Sequence, residues 1–302
     1  MKRIVNTSSV TRLAAAVMTG LAVLCCTKQA GGPSDPSGVV PRRAVVFTAG
    51  LSGAGREEAT KTAAVSSLSA FRVSATQGAT GSESSAWNDV AFGLDHGLYV
   101  GNRFWPEDMD PVYHFYASNA SLSFSPSGCT VTVTGATDVV CAYLPTSVYM
   151  STNALVFDHV FARLGGVTVT AAAGYTVSDV EMSFTPVTGG TYNLRTGSGR
   201  TDGTGWSAPV AGGRTVVSNA TAGTKVNDIY LLPGDYTFHC EWTATEDDYT
   251  KSFSKDVVVS MVAGKVNALS FTLGGDVTQL TFGVELGDWT ETDVDAGTFP
   301  ID

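Results

Sequence analysis

From about residue 44 onward, stretches recur in which every second residue is apolar, and this pattern constrains the fold more than any other feature of the chain. Tyr236, Phe238, Cys240 and Trp242 alternate with Thr237, His239, Glu241 and Thr243. Leu280, Phe282, Val284 and Leu286 alternate with Thr281, Gly283 and Glu285, and Leu269, Phe271 and Leu273 with Ser270 and Thr272. Phe71, Val73 and Ala75 alternate with Arg72 and Ser74. A period of two gives a strand one apolar face for a core and one polar face for solvent. Gly189-Gly190, Gly212-Gly213, Pro233-Gly234, Gly264 and Gly274-Gly275 punctuate these runs as turn signals. Short strands at such spacing predict an all-β chain built of β-sandwiches. Val156, Phe157, Val160, Phe161 and Leu164 fit a period of 3.6, whereas Phe157, His159 and Phe161 fit a strand. A short helix or irregular turn is expected there, leading into a strand over 167–170 and marking a domain boundary near residue 150. The glycine-rich stretch 195–214 is expected to be a long loop.

Composition narrows the function classes. The chain has 302 residues, of which 43% are hydrophobic and only 15% charged. That is enough apolar material for two domains with real cores. The formal net charge of −10 argues against nucleic acid as a partner, because phosphate binding needs clustered positive charge. It equally argues against docking on anionic lipid through a basic patch.

The amino terminus points to export. Lys2, Arg3 and Arg12 precede an apolar run from Leu13 to Leu24, too short to cross a hydrocarbon core of ~30 Å. It reads as a signal peptide over residues 1–25. The run ends at Cys25-Cys26, which resembles the lipobox of bacterial lipoproteins, with Cys26 the expected acylated residue and Cys25 the alternative. Residues 26–42, rich in Gly, Pro and Ser, read as a flexible tether. An N-terminal sandwich over 43–150 and a C-terminal one over 151–302 would follow.

Three cysteines remain. Cys129 and Cys141 lie six residues either side of Gly135, as in a hairpin that would bring them face to face. A disulfide is the expectation for an exported protein, worth about 2–3 kcal/mol over so short a loop. Cys240, on the apolar side of its run, reads as an inert core thiol. His96, His114, His159 and His239 fall in no metal spacing, and there is no nucleophile elbow or phosphate loop. The acidic clusters at 107–110 and 246–248 lack the ligand spacing of a calcium loop. No metal, no cofactor and no enzymatic activity are therefore expected. Trp206, in the glycine-rich stretch, is the one tryptophan kept as a candidate ligand contact. It supports the alternative of a surface glycan-binding lipoprotein.

Several local patterns occur in a characteristic order. The short run Ala44-Val-Val-Phe47 is followed by a polar loop ending in Ala59-Thr-Lys-Thr62. Then come Phe104-Trp-Pro106, Tyr113-His-Phe-Tyr-Ala117, Phe157-Asp-His159 and Ala162-Arg-Leu164. Ile229-Tyr-Leu-Leu-Pro-Gly-Asp-Tyr236, Ala263-Gly-Lys-Val-Asn-Ala-Leu269 and Leu286-Gly-Asp-Trp289 complete the series. Over roughly residues 44–290 the chain resembles the fimbrillin-like proteins of anaerobic Gram-negative bacteria, subunits of type V pili. The resemblance implies two transthyretin-like β-sandwich domains in tandem and a lipid anchor in the outer membrane. It also implies a trypsin-like protease that cuts behind the first strand, and assembly with other pilus subunits by β-strand addition. The cleavage residue would be Arg56, with Lys61 and Arg43 as alternatives. The family often shows Thr-Arg-Ala where this chain has Thr60-Lys-Thr62, so the usual processing arginine is displaced. The tail after Trp289, acidic and carrying Pro300, is a poor donor strand. That tilts the expectation toward a tip or accessory subunit.

Overall fold

The computed structural model describes residues 43–52, 68–106, 112–125, 127–133, 138–147, 149–150, 152–218 and 223–289. The described residues are almost entirely strand. The first five are β1 (Ala44–Leu51), β2 (Ala70–Gln77), β3 (Ser84–Asp95), β4 (Leu98–Phe104) and β5 (Tyr113–Ser118). After β6 (Ser123–Ser125) and β7 (Gly128–Val133) come β8 (Val140–Leu144) and β9 (Thr152–His159). Next are β10 (Ala162–Ala171), β11 (Thr176–Phe184) and β12 (Val187–Asn193), then a single helical turn, α1 (Leu194–Gly197). The remainder comprises β13 (Trp206–Ala211), β14 (Thr215–Ser218), β15 (Gly223–Leu231), β16 (Gly234–Glu246), β17 (Tyr249–Met261), β18 (Lys265–Leu273) and β19 (Thr281–Asp288).

Seven strands from the first half close into a barrel in the order β1-β4-β3-β2-β5-β8-β9. Its interior is aromatic. Phe47, Phe71, Phe92, Phe115 and Phe157 are fully buried there, with Tyr99 and Trp105 beside them. The alternation of β2 explains one wall, since Phe71, Val73 and Ala75 all point inward and are inaccessible to solvent. Closure depends on β1, which pairs antiparallel with β4 and parallel with β9.

The second half forms a sandwich of two four-stranded sheets, β15-β10-β18-β19 and β14-β11-β16-β17. Their inner faces meet around Trp242, Phe238, Cys240, Phe271 and Leu269, the residues whose alternation predicted them. Cys240 is thus a core thiol. On the outer face, Thr243 meets Ser252 and Thr245 meets Thr250 through hydroxyl hydrogen bonds of 3.2 and 2.9 Å, the polar half of the same pattern. A further sheet, β13-β12-β7-β6, joins strands from both halves, and a third apolar cluster packs beneath it.

Four expectations are corrected. The stretch 195–214 is not one long loop, since α1 occupies its start and β13 (Trp206–Ala211) runs through it, paired with β12. Residues 152–159 are a strand, not a helix. Val156 faces solvent while Leu155 and Phe157 are buried, and the helical spacing arose from a break at Val160-Phe161 between two strands. Gly189-Gly190 is not a turn but lies inside β12. A Cβ at Gly190 would stand 3.3 Å from the Trp206 ring and 3.0 Å from the Ser207 carbonyl oxygen, so the glycine allows close strand approach. Cys129 and Cys141 do not share a hairpin. Cys129 is on β7, which pairs with β6 and β12, and Cys141 is on β8, which pairs with β5 and β9. Both are buried free thiols.

Candidate assembly site

The sequence singles out the first strand, and the structure places it in the wall of the barrel. Val45, Phe47 and Ala49 point inward and are buried, while Val46 and Thr48 face out and are half-buried. The Phe47 ring meets Phe115 at 4.9 Å, Phe92 at 5.1 Å and Phe71 at 6.3 Å, edge to face in each case. Such geometry sets the positive ring edge against a negative face. One edge of β1 runs parallel to β9, from Val46 opposite Thr152 to Leu51 opposite Phe157. Its other edge runs antiparallel to β4, with Phe47 opposite Tyr99. Every other neighbouring pair in the barrel is antiparallel.

Both ends of β1 are fixed by local contacts. At its start, the Trp105 amide donates to the Arg43 carbonyl at 2.9 Å. At its end, the Ser52 amide donates to the Phe157 carbonyl at 2.8 Å, and the Ser52 hydroxyl donates to the Asp158 carboxylate. Asp158 also accepts from the Gly199 amide at 3.2 Å, so it ties the end of β1 to the glycine-rich stretch. The chain re-enters the described residues at Leu68, fully buried, whose carbonyl accepts from the Tyr99 hydroxyl at 2.6 Å. Burial raises the pKa of that phenol, which therefore stays a donor. Asp158 lies in the Phe157-Asp-His159 motif. Its partners are 106 and 41 residues away, however, and nothing local in the sequence signals them.

Of the expected processing residues, Arg43 is described and exposed, immediately before β1. Arg56 and Lys61 lie outside the described residues, as do Cys25 and Cys26. Trp206 opens β13 half-buried. Its indole N–H donates to the Val160 carbonyl at 3.2 Å, and its ring packs on Phe161 and Tyr192 at 5.0 and 5.1 Å. The side chain is therefore engaged in packing beneath the sheet shared by the two halves. Among the described residues no group of three or more His, Cys, Asp or Glu side chains could hold a metal ion, and no helix is long and apolar enough to cross a membrane.

The three buried thiols are poor nucleophiles. Burial pushes Cys129 up to about 11, partly offset by a hydrogen bond from Ser74 and the nearby Arg195 charge. Burial likewise pushes Cys141 and Cys240 up to about 12.

No protein-family model matches the chain, and no curated protein matches it. Solved structures do. The chain is similar to a fimbrial protein from Bacteroides vulgatus at 12% identity, over 81% of this chain and 99% of that one, with a TM-score of 0.52. It is also similar to a protein assigned to cell adhesion from Bacteroides ovatus at 16% identity, over 82% and 98% of the two chains, with a TM-score of 0.46. The fimbrillin-like resemblance read from the sequence therefore holds at the level of fold.

Proposed function

We propose that the chain is a structural or tip subunit of a cell-surface pilus with a role in adhesion and no enzymatic activity. In this reading it is exported, acylated at Cys26 or Cys25, and held at the outer membrane by that lipid. A trypsin-like protease cuts behind β1, at Arg56 or else at Lys61; the remaining alternative, Arg43, precedes β1, and a cut there alone would leave the strand in place. After the cut behind it, β1 leaves, and a strand from another subunit takes its place. In this reading the two halves are the tandem transthyretin-like bodies of the resemblance, with their boundary after β9, the strand over 152–159 that completes the barrel.

The position of β1 is the observation that supports this reading best. It is the first strand in sequence yet an interior strand of the barrel, hydrogen-bonded on both edges, with Phe47 seated among three other phenylalanines. Losing it would expose an apolar slot flanked by β4 and β9, each with a row of unpaired backbone groups. Val45 and Phe47 together contribute about 3–6 kcal/mol of burial. A replacement strand must match that contribution and offset its own ordering cost, which a slot preformed by β4 and β9 reduces. Intact, the barrel has no such vacancy, so cleavage rather than concentration becomes the trigger. The similarity in fold to a fimbrial protein supports the same reading.

The test is limited digestion of the purified chain with trypsin, followed by sizing and mass spectrometry. The expected result is a cut within residues 53–67, then loss of the β1 fragment and growth of oligomers. Replacing Arg56 and Lys61 together by Gln should prevent both. A cut chain that stays monomeric and gives up no fragment, even when a competing strand peptide is added, would overturn the proposal.

A further inference from the structure

Arg195 belongs to the second half of the chain, but its side chain ends against the barrel. The single turn α1 projects it there. Asn193 caps that turn by accepting from the Arg195 and Thr196 amides at 3.0 and 3.2 Å, and its own amide group donates to the Ser127 hydroxyl at 3.2 Å. The Arg195 guanidinium donates from Nη2 to Glu83 Oε1 at 2.6 Å and from Nε to the Tyr116 hydroxyl at 3.1 Å. Glu83 closes the turn between β2 and β3, and its other oxygen accepts from the Gly81 amide at 2.9 Å. His114, on β5, places Nε2 3.9 Å from the same carboxylate. The Glu83 side chain is 2% exposed and that of Arg195 17%. Tyr116, fully buried on β5, stacks its ring on Tyr143 of β8 at 4.9 Å.

A partly buried ion pair with this many donors is costly to break from one side, because the remaining charge is left without its counterion. Its location adds a second fact. Going around the barrel from β1, β2 is reached through β4 and β3, and β5 through β9 and β8. The pair therefore sits on the wall opposite β1. None of Glu83, His114, Tyr116 or Arg195 lies on β1, β4 or β9.

We infer that Glu83, Arg195 and Tyr116 form a latch that holds the barrel to the β12–α1 segment from the wall opposite β1, and so fixes the orientation of the two halves. Next to it, β7 of the first half pairs with β12 of the second, with Val131 opposite Tyr192 and Val133 opposite Gly190. The ion pair and this strand pairing make up one seam. The consequence for assembly rests on the proposed exchange of β1: a strand could leave and be replaced without unlocking the halves. A filament would then inherit one fixed angle within each subunit.

Hydrogen exchange on the full chain tests the latch without any cleavage. Glu83→Gln keeps the shape of the side chain and removes its charge, and Arg195→Met removes the opposite charge. Each should speed exchange at the β7–β12 amides by about tenfold or more, with β16–β17 amides unchanged. The double variant should be no faster than the faster single. Arg214→Gln, which breaks the exposed pair with Glu181, serves as a control and should leave the seam as it is. If Arg195→Met fails to fold, Glu83→Gln alone decides. An unchanged seam in Glu83→Gln, or equal acceleration in every strand, would overturn the latch. A chain whose seam responds as expected but which never releases β1 would refute the assembly reading and leave the latch standing.

Discussion

Phe47→Ala is the most informative single substitution in the first strand. Phe47 is inaccessible to solvent, and three phenylalanine rings from β2, β3 and β5 close around it within 6.3 Å. Truncating a buried phenylalanine costs about 3–5 kcal/mol, the transfer term plus the cavity left by neighbours that relax only in part. Three edge-to-face contacts, each worth ~0.5–1.5 kcal/mol beyond area, place the effect toward the upper end of that range. Val46, next in the chain, faces outward and is half-buried, so Val46→Ala should cost no more than about 1 kcal/mol. Urea unfolding of the two variants beside the parent gives both values, provided the slope of free energy against denaturant is unchanged. In cleaved protein the same substitution should speed release of the β1 fragment by roughly 100-fold or more, the kinetic image of 3 kcal/mol. Equal, small effects at positions 46 and 47 would show that β1 does not occupy the barrel wall, and the reasoning about its exchange would fail with it.

Three further outcomes are expected. A thiol reagent at pH 8 should react slowly with Cys129, Cys141 and Cys240 in the folded protein and rapidly with all three in guanidinium, without prior reduction; two fewer reactive thiols would indicate a bridge. Burial disfavours ionisation of Glu83, but its own amide, the Gly81 amide, Arg195 and His114 outweigh that and hold its pKa below the ordinary value. The stability this contributes is complete above about pH 4.5 and is lost as pH falls through the lower folded value, so Glu83→Gln should flatten part of the acid limb of an unfolding-midpoint profile. Trp206→Ala should lower stability by about 2–4 kcal/mol, through lost packing on Phe161 and Tyr192, while intact protein titrated with polysaccharide shows no saturable quenching; quenching that disappears in Trp206→Ala would restore the glycan-binding alternative.

Much of the second half is legible in its alternation. β16 and β18 bury the very residues their period selects, because each packs one face against an opposing sheet. β19 shows where that logic runs out. Phe282, Val284 and Leu286 alternate correctly and pair opposite Phe271, Leu269 and Asn267 of β18, yet they are 38–49% exposed. Alternation reports which face a residue takes; it carries no information on how far the facing sheet extends. Barrel closure was equally out of reach, since the parallel pairing of β1 with β9 joins residues about a hundred positions apart and leaves no local mark. The break at Val160-Phe161 produced a false helical period by bringing two strand patterns into an accidental phase. For the candidate site, the importance of the first strand was readable from the resemblance, whereas Asp158, Glu83 and Arg195 act through partners that only the folded chain brings together.

The account turns on whether β1 is present in the assembled form. N-terminal sequencing by mass spectrometry of polymeric material extracted from the cell surface measures this directly. The account predicts chains beginning at Glu57, or after Lys61, with residues 44–51 missing in either case. Polymers made of chains that still carry β1, whether acylated at Cys26 or cut only after Arg43, would contradict it.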